Sequence, residues 1–341
     1  MPEAPSPITS DPVRAGAAIA SGALVGLPTE TVYGLAADAT STEAVRAIFT
    51  AKRRPSSSPL IVHVHDAEQL QRWARDVPTW AHALARAFWP GPMTLVLASS
   101  GRAASEVTAG GETVALRVPD HPLALAAIAA SGTGVAAPSA NRHGAVSPTR
   151  AEHVSEAFTS TIVDCILDGG ACTVGVESTI IDCTHEHPVI LRSGAITAEQ
   201  IARVTGMSVT DHIERLDVAD LGAAATPAPG QARSHYAPRA RVELVGSTKL
   251  ALERRAELTT AGERVVLLLG DVDASELEEP VRDDALIATT HDDVFARELY
   301  GALRTADERG AGVVIAVAPV HGPLAAATRD RLQRAAAPRD H

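Results

Sequence analysis

The chain of 341 residues contains one asparagine, Asn141, and two lysines, Lys52 and Lys249; the rest of its 30 basic residues are arginine. Aromatic residues make up only 3% of it, and the three cysteines, Cys165, Cys172 and Cys183, are an odd number without C-x-x-C spacing. That excludes a disulfide framework and a zinc ribbon, and predicts small core cysteines in a reduced compartment. No apolar run reaches membrane-spanning length, and the N-terminal MPEAPSPITSDP lacks a basic region followed by an apolar core. The expectation is a soluble cytoplasmic protein. No basic domain offsets the formal net charge of -11, which argues against a dedicated nucleic-acid binder but leaves room for a local basic cleft. No Gly-Lys pair occurs, so there is no Walker A loop. The run Gly132-Thr133-Gly134-Val135-Ala136-Ala137 precedes a predicted strand instead of following one, which removes it as a dinucleotide fingerprint.

With 45% hydrophobic and 21% charged residues, a chain of this length predicts two well-buried domains. Residues 1–9 read as a loose tail, and Asp11-Pro12 as the cap and first position of an Ala-rich helix reaching about residue 21. Strands are then predicted at 23–27, 60–65, 93–98, 113–118, 134–137, 162–167, 177–182 and 188–192. Helices are predicted at 42–50, 66–75, 78–88, 121–131, 150–158 and 197–205. Several strands follow one another without a helix, so the fold class is α/β with a mixed sheet. The Ala-, Pro- and Gly-rich stretch after residue 206 reads as an extended linker, 206–240. Beyond it, strand 241–245, helix 247–260, strands 264–269 and 285–288, helix 292–309, strand 312–317 and helix 323–335 predict a smaller Rossmann-like α/β domain, 241–335.

Chemistry is concentrated where polar residues interrupt apolar strands. Lys52 opens Lys52-Arg53-Arg54-Pro55, and a lysine is a compact point charge that fits where a guanidinium fork does not. Leu60, Val62 and Val64 alternate with Ile61, His63 and His65; two histidines on one face suggest a cleft wall or a metal pair, and no third ligand completes a metal site. Arg117, in TVALRVP, sits at a strand position that would otherwise be apolar, and needs either an Asp or Glu partner or a substrate carboxylate. APSANRHGAVSPT (137–149) is dense in hydroxyl and amide donors, while GVESTIID (175–182) and Arg192 repeat the pattern. Five such interruptions, all at strand ends, predict one large polar cleft.

LPTETVYGL (27–35), AKRRPSSSPLIVHV (51–64), FWPGPMTLVL (88–97), ALRVPDHP (115–122), APSANRHGAVSPT, GVESTIID and ILRSGAI (190–196) together resemble the YrdC-domain family. They cover residues 10–205 in family order and spacing. The HYAP element (235–238) and the domain after it resemble the family's long form, the threonylcarbamoyl-AMP synthases. The resemblance implies a twisted open mixed sheet with a concave cavity over 10–205. It implies an enzyme, a nucleotidyltransferase joining L-threonine, bicarbonate and ATP into threonylcarbamoyl-adenylate, with release of pyrophosphate. The product serves modification of the adenosine beside the anticodon, through a downstream tRNA threonylcarbamoyl-transfer complex.

By family position, Lys52 and Arg54 face the charge developing on phosphorus. Thr31, His63, Arg117 and Ser178 line the threonine pocket. Arg54, Ser58, Thr113, Ser139, Asn141, Ser147, Arg192, His235 and Tyr236 lie on the ATP side, with Tyr236 expected to fold back over the nucleotide. Mg2+ is implied on the ATP phosphates, with no protein side chain as a metal ligand. Two departures stand out: Ser58 stands where relatives carry a longer polar residue, and the linker reads Pro229-Gly230-Gln231-Ala232-Arg233-Ser234 where relatives carry Met and more basic residues, leaving Arg233 as the only local cation. The competing reading is an RNA-binding module using the cationic cleft, without membrane contact in either case.

Overall fold

The computed structural model describes residues 4–211 and 235–338, which fall into two units. The first takes 4–143, 148–173 and 177–211; the second takes 144–147, 174–176 and 235–338. No helix among the described residues is long and apolar enough to cross a membrane.

The first unit is built on an eleven-stranded mixed sheet. Its spatial order is Ile8–Thr9, Cys165–Leu167, Val25–Leu27, Gly34–Asp38, Val135–Ala136, Ile61–His63, Thr113–Arg117, Met93–Ala98, Thr179–Asp182, Val189–Arg192 and Thr210–Asp211. The period-2 alternation of these strands sends Leu35, Val62, Leu95, Leu116 and Ile181 into one large core, where they meet Val45, Ile48 and Phe49 of the helix Thr42–Lys52. On the other face, Val25, Ala36, Val135 and Cys165 pack under the helices Pro12–Ala20 and Pro122–Ser131. Those two helices approach so closely that a Cβ on Gly16 would lie 2.6 Å from the Ala130 Cβ, so only glycine fits there. Further along the same face, Ile61, Val96, Ala115, Ile180 and Leu191 form a small apolar floor. His63 and Arg117 are register partners one step beyond Ile61 and Ala115, which sets two polar side chains at its end.

Asp11 caps its helix by accepting from Val13 N and Arg14 N, as its position before Pro12 predicts. Elsewhere the reading needs correction. Ile8–Thr9 is a strand paired with Ile166–Leu167, not part of a loose tail, and two residues are too few for a periodic signal. Gly34–Asp38 is a strand antiparallel to Val25–Leu27; its GLAAD sequence has no β-branched residue to announce it. The predicted helix 66–75 is a 3-10 turn, Ala67–Gln69, followed by the four residues Leu70–Trp73.

The second unit carries four parallel strands in the order Arg241–Leu244, Val313–Val317, Val265–Gly270, Ala285–Thr289. The last strand in sequence thus lies between the first and second. The two strands predicted as direct neighbours, Val265–Gly270 and Ala285–Thr289, run parallel, and the crossover between them holds Ala274–Glu276 and Val281–Asp284. Of the predicted linker, 206–211 includes the strand Thr210–Asp211, and Arg233 lies outside the described residues.

Candidate active site

Lys52 is the last residue of its helix, and it is 1% exposed. Its Nζ donates to Ser139 O at 2.5 Å and to Asn141 O at 2.6 Å. The contact is reciprocal. The loop returns His143 N to Lys52 O at 2.8 Å, and the Arg142 guanidinium donates to Ala51 O, so the loop satisfies the carbonyls that a helix end leaves open. Arg53 stops the helix in a left-handed conformation, φ 54°, after which Arg54 is half-buried and donates to Pro59 O at 3.4 Å. Burial pushes the Lys52 pKa well below the ordinary lysine range, reinforced by the charges of Arg54 and Arg142. The two carbonyls oppose this by accepting from the ammonium form. The same burial, with Arg54 and Lys52 nearby, lowers the His143 pKa.

A second cluster is built on Arg117. Its Nη1 donates to Thr31 Oγ1 at 2.9 Å, its Nε to Gly91 O at 3.2 Å, and its Nη2 lies 2.7 Å from Glu30 Oε2. The ion-pair alternative for Arg117 is therefore realised. Its partner, Glu30, lies inside LPTETVYGL, between Thr29 and Thr31, where no sequence signal ties it to Arg117. The hydroxyls beside it have a defined order. Thr29 Oγ1 gives its proton to Val32 O at 2.6 Å, so across the 2.8 Å contact the Thr31 hydroxyl must donate to Thr29. Thr31 Oγ1 thus accepts from Arg117 and keeps one lone pair for another donor. His63, 3% exposed, has an Nδ1 without a hydrogen-bond partner. Burial, and then the Arg117 charge, lower its pKa to about 3, so the ring is neutral near pH 7.

The third cluster joins Arg192 to Ser178. Arg192 Nε donates to Ser178 O at 3.0 Å and its Nη2 to Ser178 Oγ at 3.1 Å, and that hydroxyl shares a 2.8 Å hydrogen bond with Thr94. Thr94 is the lone polar residue in the strand Met93–Ala98, a polar interruption of the same kind as Arg117. Gly194 presses on this segment: a Cβ there would lie 2.3 Å from Thr179 N. Segment 91–93 links the last two clusters, because Gly91 O accepts from Arg117 and Pro92 O from Thr179 N.

Not every expected residue joins. Thr113 is exposed at the start of its strand, and Ser58 is half-buried on the loop after Arg54. The strand ends at His63, so His65 turns away and pairs with Asp66 at 2.7 Å, which removes the expected two-histidine face. Ser147, His235 and Tyr236 belong to the second unit. There Tyr236, 1% exposed, stacks on Tyr300 with ring centroids 5.6 Å apart and lies 5.5 Å from the Arg331 guanidinium carbon. The three cysteines are free and buried, and burial pushes the Cys165 thiol up to about 11 and Cys172 to about 12.

A family model for Sua5, YciO and YrdC proteins, described as telomere recombination, matches residues 17–194. A second, described as the C-terminal domain of threonylcarbamoyl-AMP synthase, matches 196–337. The threonylcarbamoyl-AMP synthase of Pyrococcus abyssi is 41% identical over 93% of this chain and 91% of its own length. That of Bacillus subtilis is 41% identical over 96% of this chain and 94% of its own. The solved structure of P. abyssi Sua5 complexed with L-threonine superimposes with a TM-score of 0.86 at 38% identity, covering 95% of this chain and 94% of that one.

Proposed function

The chain belongs to the threonylcarbamoyl-AMP synthase family, and we propose that it joins L-threonine, bicarbonate and ATP into L-threonylcarbamoyl-adenylate, releasing pyrophosphate and water. In this reading it is a nucleotidyltransferase whose product passes to a threonylcarbamoyl transfer onto tRNA. The observation that carries this reading is Lys52 Nζ, buried and donating to two carbonyl oxygens, with no carboxylate partner among the described residues. Carbonyl dipoles orient an ammonium without cancelling its charge. The field that remains, with Arg54 and Arg142 adding to it, suits a polyphosphate.

Threonine, in the same reading, occupies the end of the floor where Thr31, His63, Arg117 and Ser178 stand. The free lone pair of Thr31 accepts the substrate hydroxyl proton, and neutral His63 offers a second polar atom to that hydroxyl. A buried acceptor left unfilled rejects amino acids that lack the hydroxyl. Arg192 and Thr94 fix the rotamer of Ser178. A carbamate of threonine is short-lived in water, so its nitrogen-bound carboxylate must form beside the α-phosphate and react there. Lys52 and Arg54 then stabilise the charge that develops as pyrophosphate leaves.

Mg2+ is proposed on the phosphate oxygens, where it supplies charge neutralisation when bound. No protein side chain is proposed as its ligand, the oxygens coming from phosphate and water. The test is an omission series on the full chain, scored by the mass of the mixed anhydride. Product must require ATP, threonine and bicarbonate together; product without bicarbonate, or none with all three, overturns the proposal.

A further inference from the structure

Glu30 is 5% exposed, and its Oε2 lies 2.7 Å from Arg117 Nη2 as an ion pair, yet neither carboxylate oxygen has a hydrogen-bond partner among the described residues, and Oε1 has no cation beside it in that pair either. An anionic oxygen buried without a donor is costly, and such an atom in a folded protein calls for an explanation. Pairing with Arg117 engages Oε2 by charge and leaves Oε1 open to a further donor. The neighbouring Thr31 hydroxyl does not relieve it, because its proton is committed to Thr29. Oε1 therefore waits for a donor that arrives from outside the protein.

Resting on the assignment of this cluster to an amino-acid substrate, we infer that Glu30 Oε1 receives the α-ammonium group of L-threonine. A free α-amino acid carries opposite charges on neighbouring groups, and a buried Arg–Glu pair presents the complementary ones. Arg117 alone would recognise a carboxylate of any kind. Arg117 with Glu30 recognises a carboxylate with a cation beside it. The nitrogen keeps one N–H after it becomes a carbamate, so the same oxygen can hold it through the next step. Glu30 is thus a substrate-binding residue that selects amino acids over hydroxy acids.

The test compares L-threonine with 2,3-dihydroxybutanoate of matching configuration, which keeps the carboxylate and the side-chain hydroxyl but replaces the ammonium with an uncharged hydroxyl. Binding of each to the full chain is measured by calorimetry, for wild type and for Glu30→Gln. Wild type is expected to prefer threonine by about tenfold or more, the scale of one hydrogen bond to a charged group. Glu30→Gln is expected to lose that preference by weakening threonine while leaving the dihydroxy acid within about twofold, because glutamine preserves the shape. A purely structural role for Glu30 predicts instead that both ligands weaken together, since Arg117 would be misplaced for either. That result, or a preference that survives in Glu30→Gln, overturns the inference. Should the variant fail to fold, equal binding of the two ligands by wild type overturns it and a tenfold preference supports it. If wild type binds neither ligand, the assignment of the cluster to threonine falls and this inference with it.

Discussion

Lys52 and Arg117 are both buried basic side chains in the same unit, but they are held in different ways. Lys52 is held by the carbonyls of Ser139 and Asn141, whereas Arg117 is held by the Glu30 carboxylate, the Thr31 hydroxyl and Gly91 O. Dipoles leave the first region with its net charge; a carboxylate leaves the second close to neutral. A region of uncancelled positive charge suits a polyphosphate, and a neutral ion pair suits a zwitterion. On the proposed reading, ATP and threonine then occupy one unit without competing for the same cation.

The largest effect that sharpens this comparison is expected from Lys52→Arg. The fork cannot meet two carbonyls that converge on one nitrogen, so pyrophosphate release should fall on the order of a hundredfold although the charge is kept. Near-normal turnover in a steady-state assay would remove Lys52 from the mechanism. Gly194→Ala comes next. Its Cβ would enter the backbone of Ser178 and Thr179, so thermal unfolding should show a loss of about 1–3 kcal/mol, the scale of overpacking. Threonine affinity should drop with it, and an unchanged Tm would mean that the segment yields freely.

Stability should also depend on pH through His63. Its folded pKa, about 3, is depressed below the ordinary 6.5, so between those values the unfolded chain binds a proton that the native state refuses. Stability therefore falls as pH drops from 6.5 toward 3, by about 2 kcal/mol at pH 5 from this group. Chemical denaturation of His63→Gln should show that part of the slope flattened; an identical slope contradicts a neutral buried ring. The smallest effect concerns Lys52. Burial lowers its pKa in the free protein, and a bound polyphosphate favours the charged form, so ATP binding should take up a fraction of a proton and weaken as pH rises toward 10.5. Calorimetry in buffers of different ionisation heat reads this directly, and proton release would give the wrong sign.

Much of this was legible in the sequence because scarcity marked it. A chain with two lysines and one asparagine had both Lys52 and Asn141 in motifs, and they are brought together by the same loop. Arg117 stood out as a charge in an apolar strand. Its partner did not, because Glu30 sits 87 positions away and nothing local ties a carboxylate in a turn to an arginine in a strand. Thr94 was hidden by being one small hydroxyl in an otherwise apolar strand. The strand Gly34–Asp38 was missed for a different reason: alanine and glycine have weak strand preference, and only pairing with Val25–Leu27 and Val135–Ala136 makes it one. The packing of Tyr236 against Tyr300 and Arg331 was not legible either, because those partners lie 64 and 95 positions away in sequence.

The division of labour between the two cations is tested most directly by titrating ATP and L-threonine separately into Lys52→Met. The account predicts that ATP affinity falls by about a hundredfold while threonine affinity stays within about threefold, since truncating a buried charge costs only the ligand that faces it. ATP binding that survives, or a threonine affinity that falls in step with it, would contradict the account.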